Sequence, residues 1–208
     1  MLPRLKRHFG IVVSVCAGLG VLPSYLWAYS LSGASEAPTI LLHDTFIVNR
    51  AAYDLRLPYS RATLVHTGSP RRGDIVQAQL PARIGLGIKR VVGLPGETIE
   101  VRENRVIVNG RPLPVNALDS AEFSWVPRAH RMGSTVVMED GHWVAYTPGR
   151  SEYRNLPPVR LGRGQYFLMG DNRDNSLDSR AFGPVSRGQI LGKAIAVFPT
   201  GQRVAMSN

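Results

Sequence analysis

Tyr166-Phe167-Leu168-Met169-Gly170-Asp171-Asn172-Arg173-Asp174-Asn175-Ser176-Leu177-Asp178-Ser179-Arg180 changes character at Gly170. The four apolar residues read as a buried strand. The eleven residues from Gly170 on carry one large apolar side chain, Leu177, and five charges. Neither an amphipathic helix nor a half-buried strand uses that composition. A packed interior accepts so many charges and amides only if they pair with one another. The stretch reads as a strand opening into a polar network; the alternative is a solvated loop.

Most of the chain upstream and downstream reads as β. Short β-branched runs occur at Thr45–Val48, Ile75–Gln79, Ile88–Val92, Thr98–Val101, Val106–Val108, Gln165–Met169 and Ile190–Phe198. Glu103-Asn104 falls between two of them as a hairpin turn, and Asn109-Gly110 is a stronger turn signal. Past Leu31 there is no sustained helical period and no internal repeat. Residues from about 111 to 163 are rich in Pro, Gly and polar side chains, and they read as an insertion or cap on a β core.

The chain has 208 residues, 44% of them hydrophobic, enough for one domain with a real core. Its formal charge of +10 suits an anionic partner, either nucleic acid or lipid headgroups. No aromatic-interleaved RNA motif, zinc-finger spacing or basic helix is present, so nucleic acid is not expected. The arginines are scattered, as on a solvated surface near a membrane. Cys16 is the only cysteine, so no disulfide forms within the chain.

Arg4, Lys6 and Arg7 precede an uncharged run from Phe9 to Leu31. At ~1.5 Å per residue such a run spans a ~30 Å hydrocarbon core. Tyr25, Trp27 and Tyr29 cluster at its far end, where an aromatic belt belongs. The reading is a transmembrane helix over 9–31, residues 1–8 cytoplasmic, and residues 32–208 outside the membrane. The competing reading is a cleavable leader, since Ser32-Gly33-Ala34 offers small residues where a cut needs them. The run exceeds the usual apolar core of a leader, which favours a retained anchor. The lack of a long Arg/Ser-rich presequence points to a bacterial inner membrane.

A serine hydroxyl attacks only when a base takes its proton. The histidines are His8, His43, His66, His130 and His142, and there is no Gly-x-Ser-x-Gly elbow. A Ser–His–Asp arrangement would use His43 and Asp44, although His43 reads better in a surface turn. No His-Glu-x-x-His is present, and the loop at Asp171 has Arg173 and Asn175 where a calcium loop needs ligands. Gly85-Leu86-Gly87 lacks the third glycine of a dinucleotide fingerprint. A lysine serves as base if burial keeps it neutral. Lys89 is the best candidate, because Ile88, Val91 and Val92 flank it; a solvated edge charge is the bland reading of the same residue.

Ser35-Glu36-Ala37-Pro38-Thr39-Ile40, Arg72-Gly73-Asp74-Ile75-Val76, Gly87-Ile88-Lys89-Arg90-Val91-Val92-Gly93-Leu94-Pro95-Gly96-Glu97 and the loop from Gly170 to Arg180 follow one another along the chain. In that order they resemble the sequence boxes of the type I signal peptidases, from the apolar segment to about Phe198. The resemblance implies a mainly β catalytic domain behind a single membrane helix, with a variable insertion between the last two boxes. It implies that Ser35 attacks the scissile carbonyl and that Lys89 is its general base. Ser176 would hydrogen-bond and orient the Lys89 ammonium, Asp171 would pair with Arg90, and Asp178 with Arg180. Asn172, Arg173 and Asn175 are assigned to loop architecture only.

The expected oxyanion donor is the backbone N–H of Ser35, since many family members carry a Ser or Gly two residues before the nucleophile and Gly33 here has no hydroxyl to add. Ile40 and Ile88 are the candidates for shallow pockets that select small residues. The substrates would be signal-peptide-bearing precursors, membrane lipid the other partner, and no metal or organic cofactor is required. Glu36 departs from the family's Met after the nucleophile. It is expected to face solvent, so that Glu36→Met would leave the rate nearly unchanged; pointing inward, it would oppose a lysine base. Other readings of the same features are a processing peptidase dedicated to one secretion, pilus or conjugation substrate, a repressor-type self-cleaving Ser/Lys protein, and an inactive membrane-anchored binding protein. The self-cleaving reading needs a DNA-binding helical domain, and the N-terminus offers an apolar segment instead.

Overall fold

A computed structural model describes residues 25–57, 62–81, 84–118, 134–147 and 152–199. The seven β-branched runs are all strands in it. Thr45–Asn49 (β2), Ile75–Gln79 (β5), Leu86–Gly93 (β6), Gln165–Met169 (β14) and Ile190–Phe198 (β16) lie in one seven-stranded sheet. With Leu26–Ser30 (β1) and Val185–Ser186 (β15), its order is β1-β2-β16-β5-β6-β14-β15, antiparallel throughout. A second sheet joins Leu156–Arg160 (β13), Thr98–Arg102 (β7), Arg105–Val108 (β8) and Arg111–Pro112 (β9) in that order.

The hairpin turns follow from local chemistry. Glu103-Asn104 and Asn109-Gly110 each put two residues at positive φ, as a two-residue turn matched to strand twist requires. Asp140-Gly141 does the same between Thr135–Glu139 (β11) and His142–Tyr146 (β12). Val115–Ala117 (β10) completes that third, three-stranded sheet, and Asp54–Arg56 (β3) pairs with Thr63–His66 (β4) in a two-stranded one. The stretch expected to be irregular, residues 111–163, therefore supplies strands to two sheets. Its alternation is short and broken by polar residues, so periodicity alone does not reveal it.

The expected helix over 9–31 is corrected at its end. Residues 9–24 lie outside the described residues, but Leu26–Ser30 is a strand paired with β2. The aromatic residues read as a belt stack within the sheet instead: Tyr29 lies 5.9 Å from Trp27 and 5.8 Å from Phe46 between ring centroids. Alternating aromatic residues suit a pleated surface, and cross-strand packing overrides the apolar run. Among the described residues, no helix is long and apolar enough to cross a membrane.

Two cores sandwich the central strands. Val76, Val91, Leu168 and Ile190 pack on one side; Val92, Ile99, Phe167 and Met169 pack on the other. Strands buried on both faces read as near-continuous apolar runs, which is why β6 and β14 stand out in the sequence. Gly93 permits the second contact, since a Cβ there would fall 2.7 Å from Ile99.

The loop after β14 is a buried network of three ion pairs. Asp178 accepts from Arg180 Nε at 2.9 Å and Nη2 at 2.8 Å, and also from the Gly170 N–H. Burial opposes its charge, but the bonds from Arg180 outweigh that and hold the carboxyl below its usual range. Asp171 accepts from Arg90 Nε at 2.7 Å and Nη2 at 2.6 Å. Arg173 is 1% exposed and donates to both oxygens of Glu139, at 3.1 and 2.5 Å. The expected pairs of Asp171 with Arg90 and Asp178 with Arg180 both form. Arg173 does more than shape its own loop: it ties that loop to β11.

Removing one partner of such a pair strands a buried charge. Arg173→Met is expected to cost ~3–5 kcal/mol in urea unfolding, and adding Glu139→Leu to recover most of that loss.

Candidate active site

Lys89 and Arg90 are neighbours on β6, so their side chains leave the strand on opposite faces. Lys89 is 4% exposed, and its Nζ lies 2.6 Å from Ser35 Oγ and 2.7 Å from the Ile88 carbonyl oxygen. Arg90 turns to Asp171 and donates through Nη1 to the Gly73 carbonyl at 2.6 Å. The Arg72-Gly73-Asp74 segment is thereby locked to β6, and Gly73 N–H also donates to the Val91 carbonyl. Tyr53 and Lys193 hold Asp74 in turn, at 2.8 and 2.7 Å.

Ser35 sits on a tight turn fixed from the polar loop. Asn172 donates its backbone N–H to the Ser35 carbonyl and its Nδ2 to the Ala34 carbonyl, both at 3.0 Å. Thr39 Oγ1 donates to Asp171 Oδ2 at 2.5 Å, and Ile40 N–H to the Glu36 carbonyl. Asn172 was expected only to shape its own loop, and it clamps the Ser35 turn as well. Gly170 makes the close approach possible: a Cβ there would overlap the Ser35 carbonyl and Ser176 Oγ.

The solvent-facing position expected for Glu36 is overturned. Its side chain is fully buried, and Oε1 lies 3.2 Å from Lys89 Nζ. The reason is the turn. With Ser35 and Thr39 both tied to residues 171–172, the intervening Glu36 is left beneath β6. Burial pushes its carboxyl up to about 8, against the pull of the Lys89 ammonium. Glu36 Oε2 is buried without a hydrogen-bond partner among the described residues.

The bond expected from Ser176 to Lys89 is also absent. Ser176 Oγ is buried with no hydrogen-bond partner among the described residues. A lysine nitrogen offers three bonding directions besides its carbon, and Ser35, Ile88 and Glu36 occupy them. Glu36 has taken the place that Ser176 was expected to hold.

Beside Ser35 and Lys89 lies a cleft of about 300 Å³. Leu31 and Phe46 line one part of it, Leu80, Ile84 and Leu86 another. Ile88 is on its wall, as expected, whereas Ile40 is not among its lining residues and is fully buried with Phe46 and Val48. Gly33 and Ser32 line its mouth, and a Cβ at Gly33 would meet nothing within 4 Å.

His43 is exposed at φ 69° in the turn before β2, and Asp44 accepts from the Leu41 N–H at 2.9 Å. Lys89 Nζ, and not that pair, lies within hydrogen-bond distance of Ser35 Oγ. His142 is mostly buried, and burial together with the Arg90 charge holds its imidazole below the usual value. Glu139 was missed by sequence reasoning. The signal was a carboxylate that ends the run Thr135–Met138, just before the Asp140-Gly141 turn.

Residues 5–199 match the family described as signal peptidase, peptidase S26. Signal peptidase I of Pseudomonas aeruginosa is 35% identical over 206 residues, covering 90% of this chain and 70% of that one. Signal peptidase I of Leptolyngbya laminosa is 29% identical over 205 residues, covering 94% and 80%. A crystal structure of a signal peptidase I from Enterococcus faecalis is 32% identical, covers 60% of this chain and 96% of that one, and has a TM-score of 0.38. With a family match that runs through every box around Ser35 and Lys89, the chain belongs to the signal peptidases of family S26.

Proposed function

We propose that this serine peptidase removes signal peptides from exported precursors, with Ser35 as nucleophile and Lys89 as general base. The observation that carries the reading is the 2.6 Å contact of Lys89 Nζ with Ser35 Oγ beside an apolar cleft. That distance is within reach for direct proton transfer. As a neutral amine, Lys89 donates its two N–H groups to Ile88 and Glu36 and turns its lone pair to the Ser35 hydroxyl.

Ser35 Oγ then attacks the scissile carbonyl while its proton passes to Nζ. The Ser35 N–H donates to the oxygen on which negative charge develops. Collapse breaks the C–N bond, and Nζ returns the proton to the leaving amine. A water molecule, deprotonated by Lys89, releases the acyl chain from Ser35. The substrate lies extended in the cleft, so alternate side chains face its apolar wall. Shallow walls favour small residues at those positions.

The segment before β1 serves as the anchor. Arg4, Lys6 and Arg7 hold its start on the cytoplasmic side of a bacterial inner membrane, with the catalytic domain outside. Because β1 begins at Leu26, the spanning run is Phe9 to Tyr25, ~25 Å at ~1.5 Å per residue, near the short end of spanning helices. Leu26, Ile195 and Phe198 are exposed on β1 and β16, apolar surface suited to the headgroup boundary. A precursor's own apolar segment lies in the same bilayer, which raises its local concentration at the cleft.

Cleavage of a signal-peptide-bearing precursor by the detergent-solubilised chain is expected to fall by ~10³-fold or more in both Ser35→Ala and Lys89→Ala. Full activity in either variant would end the Ser/Lys reading. Ser176→Ala, whose hydroxyl makes no bond to Lys89, is expected to lose less than about tenfold in the same assay. Immunoblots of fractionated cells are expected to find the full-length chain in membranes after alkaline extraction; a soluble product lacking the first ~34 residues would instead identify a cleaved leader.

A further inference from the structure

Glu36 is a fully buried carboxyl against the base of the proposed dyad, and nothing in the Ser/Lys reaction requires it. The groups facing it are few. Lys89 and Arg90 come from β6, Asp171 from the loop after β14, and the Ser35–Ile40 turn brings only neutral side chains. Arg90 is already bonded through two nitrogens to Asp171, so its charge is committed. Glu36 Oε2 has no hydrogen-bond partner among the described residues. An ionised Glu36 is therefore bonded to Lys89 alone, with Arg90 attracting and Asp171 repelling it from further away.

The three acceptors around Nζ are Ser35 Oγ, the Ile88 carbonyl and Glu36 Oε1, at 2.6, 2.7 and 3.2 Å. An ammonium satisfies all three with its N–H groups. An amine satisfies two and accepts from the third, and only that form takes the proton of Ser35. A carboxylate beside Nζ favours the ammonium; a neutral carboxyl does not.

We propose that Glu36 is a charge gate on the dyad: ionised, it holds the proton on Lys89 and moves the working range of the peptidase to more alkaline pH. It acts through Lys89, as a positioning residue, and the proposal rests on the Ser35–Lys89 reading. Burial raises its carboxyl well above the usual carboxylate range, so the gate sets in on the alkaline side of that range. The gate also has a signature independent of activity. Between its unfolded value and about 8, the native carboxyl keeps a proton that the unfolded chain releases, so stability falls as pH rises through that window.

The test is the pH profile of kcat/KM between about pH 6 and 11, on a signal-peptide-bearing precursor, for the full solubilised chain beside Glu36→Gln, Glu36→Met and Lys89→Ala. Gln keeps an acceptor for Nζ and cannot ionise. Its profile is expected to rise at least ~1 pH unit earlier and reach the same ceiling, about tenfold faster than the parent on the rising limb. Glu36→Met is expected to shift the same way. Thermal unfolding is expected to show a stability advantage of Glu36→Gln that grows from pH 5 to pH 8. Superimposed profiles, or a uniform loss with an unmoved midpoint, would overturn the gate, as would a pH-independent stability difference. An inactive Lys89→Ala with an unmoved Glu36→Gln midpoint would sink the gate alone; an active Lys89→Ala would sink the Ser/Lys reading and the gate together.

Discussion

The Arg90 guanidinium is the constraint on which the site's geometry depends. It bonds Asp171 through two nitrogens and the Gly73 carbonyl through the third. Three segments distant in sequence are held by one planar group. Asp171 then fixes Thr39, and the next residue, Asn172, fixes the carbonyls of Ala34 and Ser35. Lys89 adjoins Arg90 on the same strand, so whatever fixes Arg90 also fixes the backbone from which Nζ reaches Ser35. A lysine at position 90 would supply a point charge in place of that fork.

The cost of this arrangement is burial of charge. Asp171, Arg173, Asp178, Arg180, Glu139, Lys89 and Glu36 are all buried. Five of them sit in two-point or shared pairs with good geometry: Arg173 with Glu139, Asp178 with Arg180, and Asp171 with Arg90. Glu36 and Lys89 differ, because their contact is longer and one carboxyl oxygen is left over. Structural pairs need full satisfaction to offset desolvation. An incompletely satisfied pair at a reacting centre is where protonation is free to change.

Much of this was legible in the residues. The seven β-branched runs became strands because their side chains suit a pleated, buried surface, and the turns at Glu103-Asn104 and Asn109-Gly110 formed as their residue types dictate. The density of charge after Met169 implied pairing, and the pairing is there. Less legible were features set by tertiary contact. Leu26–Ser30 reads as the end of an apolar run until β2 supplies its partner. Glu36 reads as a surface carboxylate until two bonds on either side of it turn it inward. Glu139 belongs to no motif, and only the fold brings it to Arg173. Asp140-Gly141 was a strong turn signal between the short apolar runs Val136–Met138 and Trp143–Tyr146, lost in a stretch that is polar as a whole.

The pairing of β10 with β11 has a consequence for how this fold can change. Ala117 lies opposite Val137, so the chain leaves the third sheet and re-enters it on the adjacent strand. The polar loop is bonded from both sides of that point: by Asn104 before it, and by Glu139, Ala145 and Thr147 beyond it. Leu118, just past β10, and Val136 on β11 pack against Ala37 and Leu41, so length added or removed between those two strands spares the Ser35 turn where that packing is kept. Closing a longer excursion costs only ~0.6 kcal/mol for each doubling of its length. The position is a conditional port, where new sequence is accommodated as long as Leu118 and Val136 keep their seat beside the Ser35 turn.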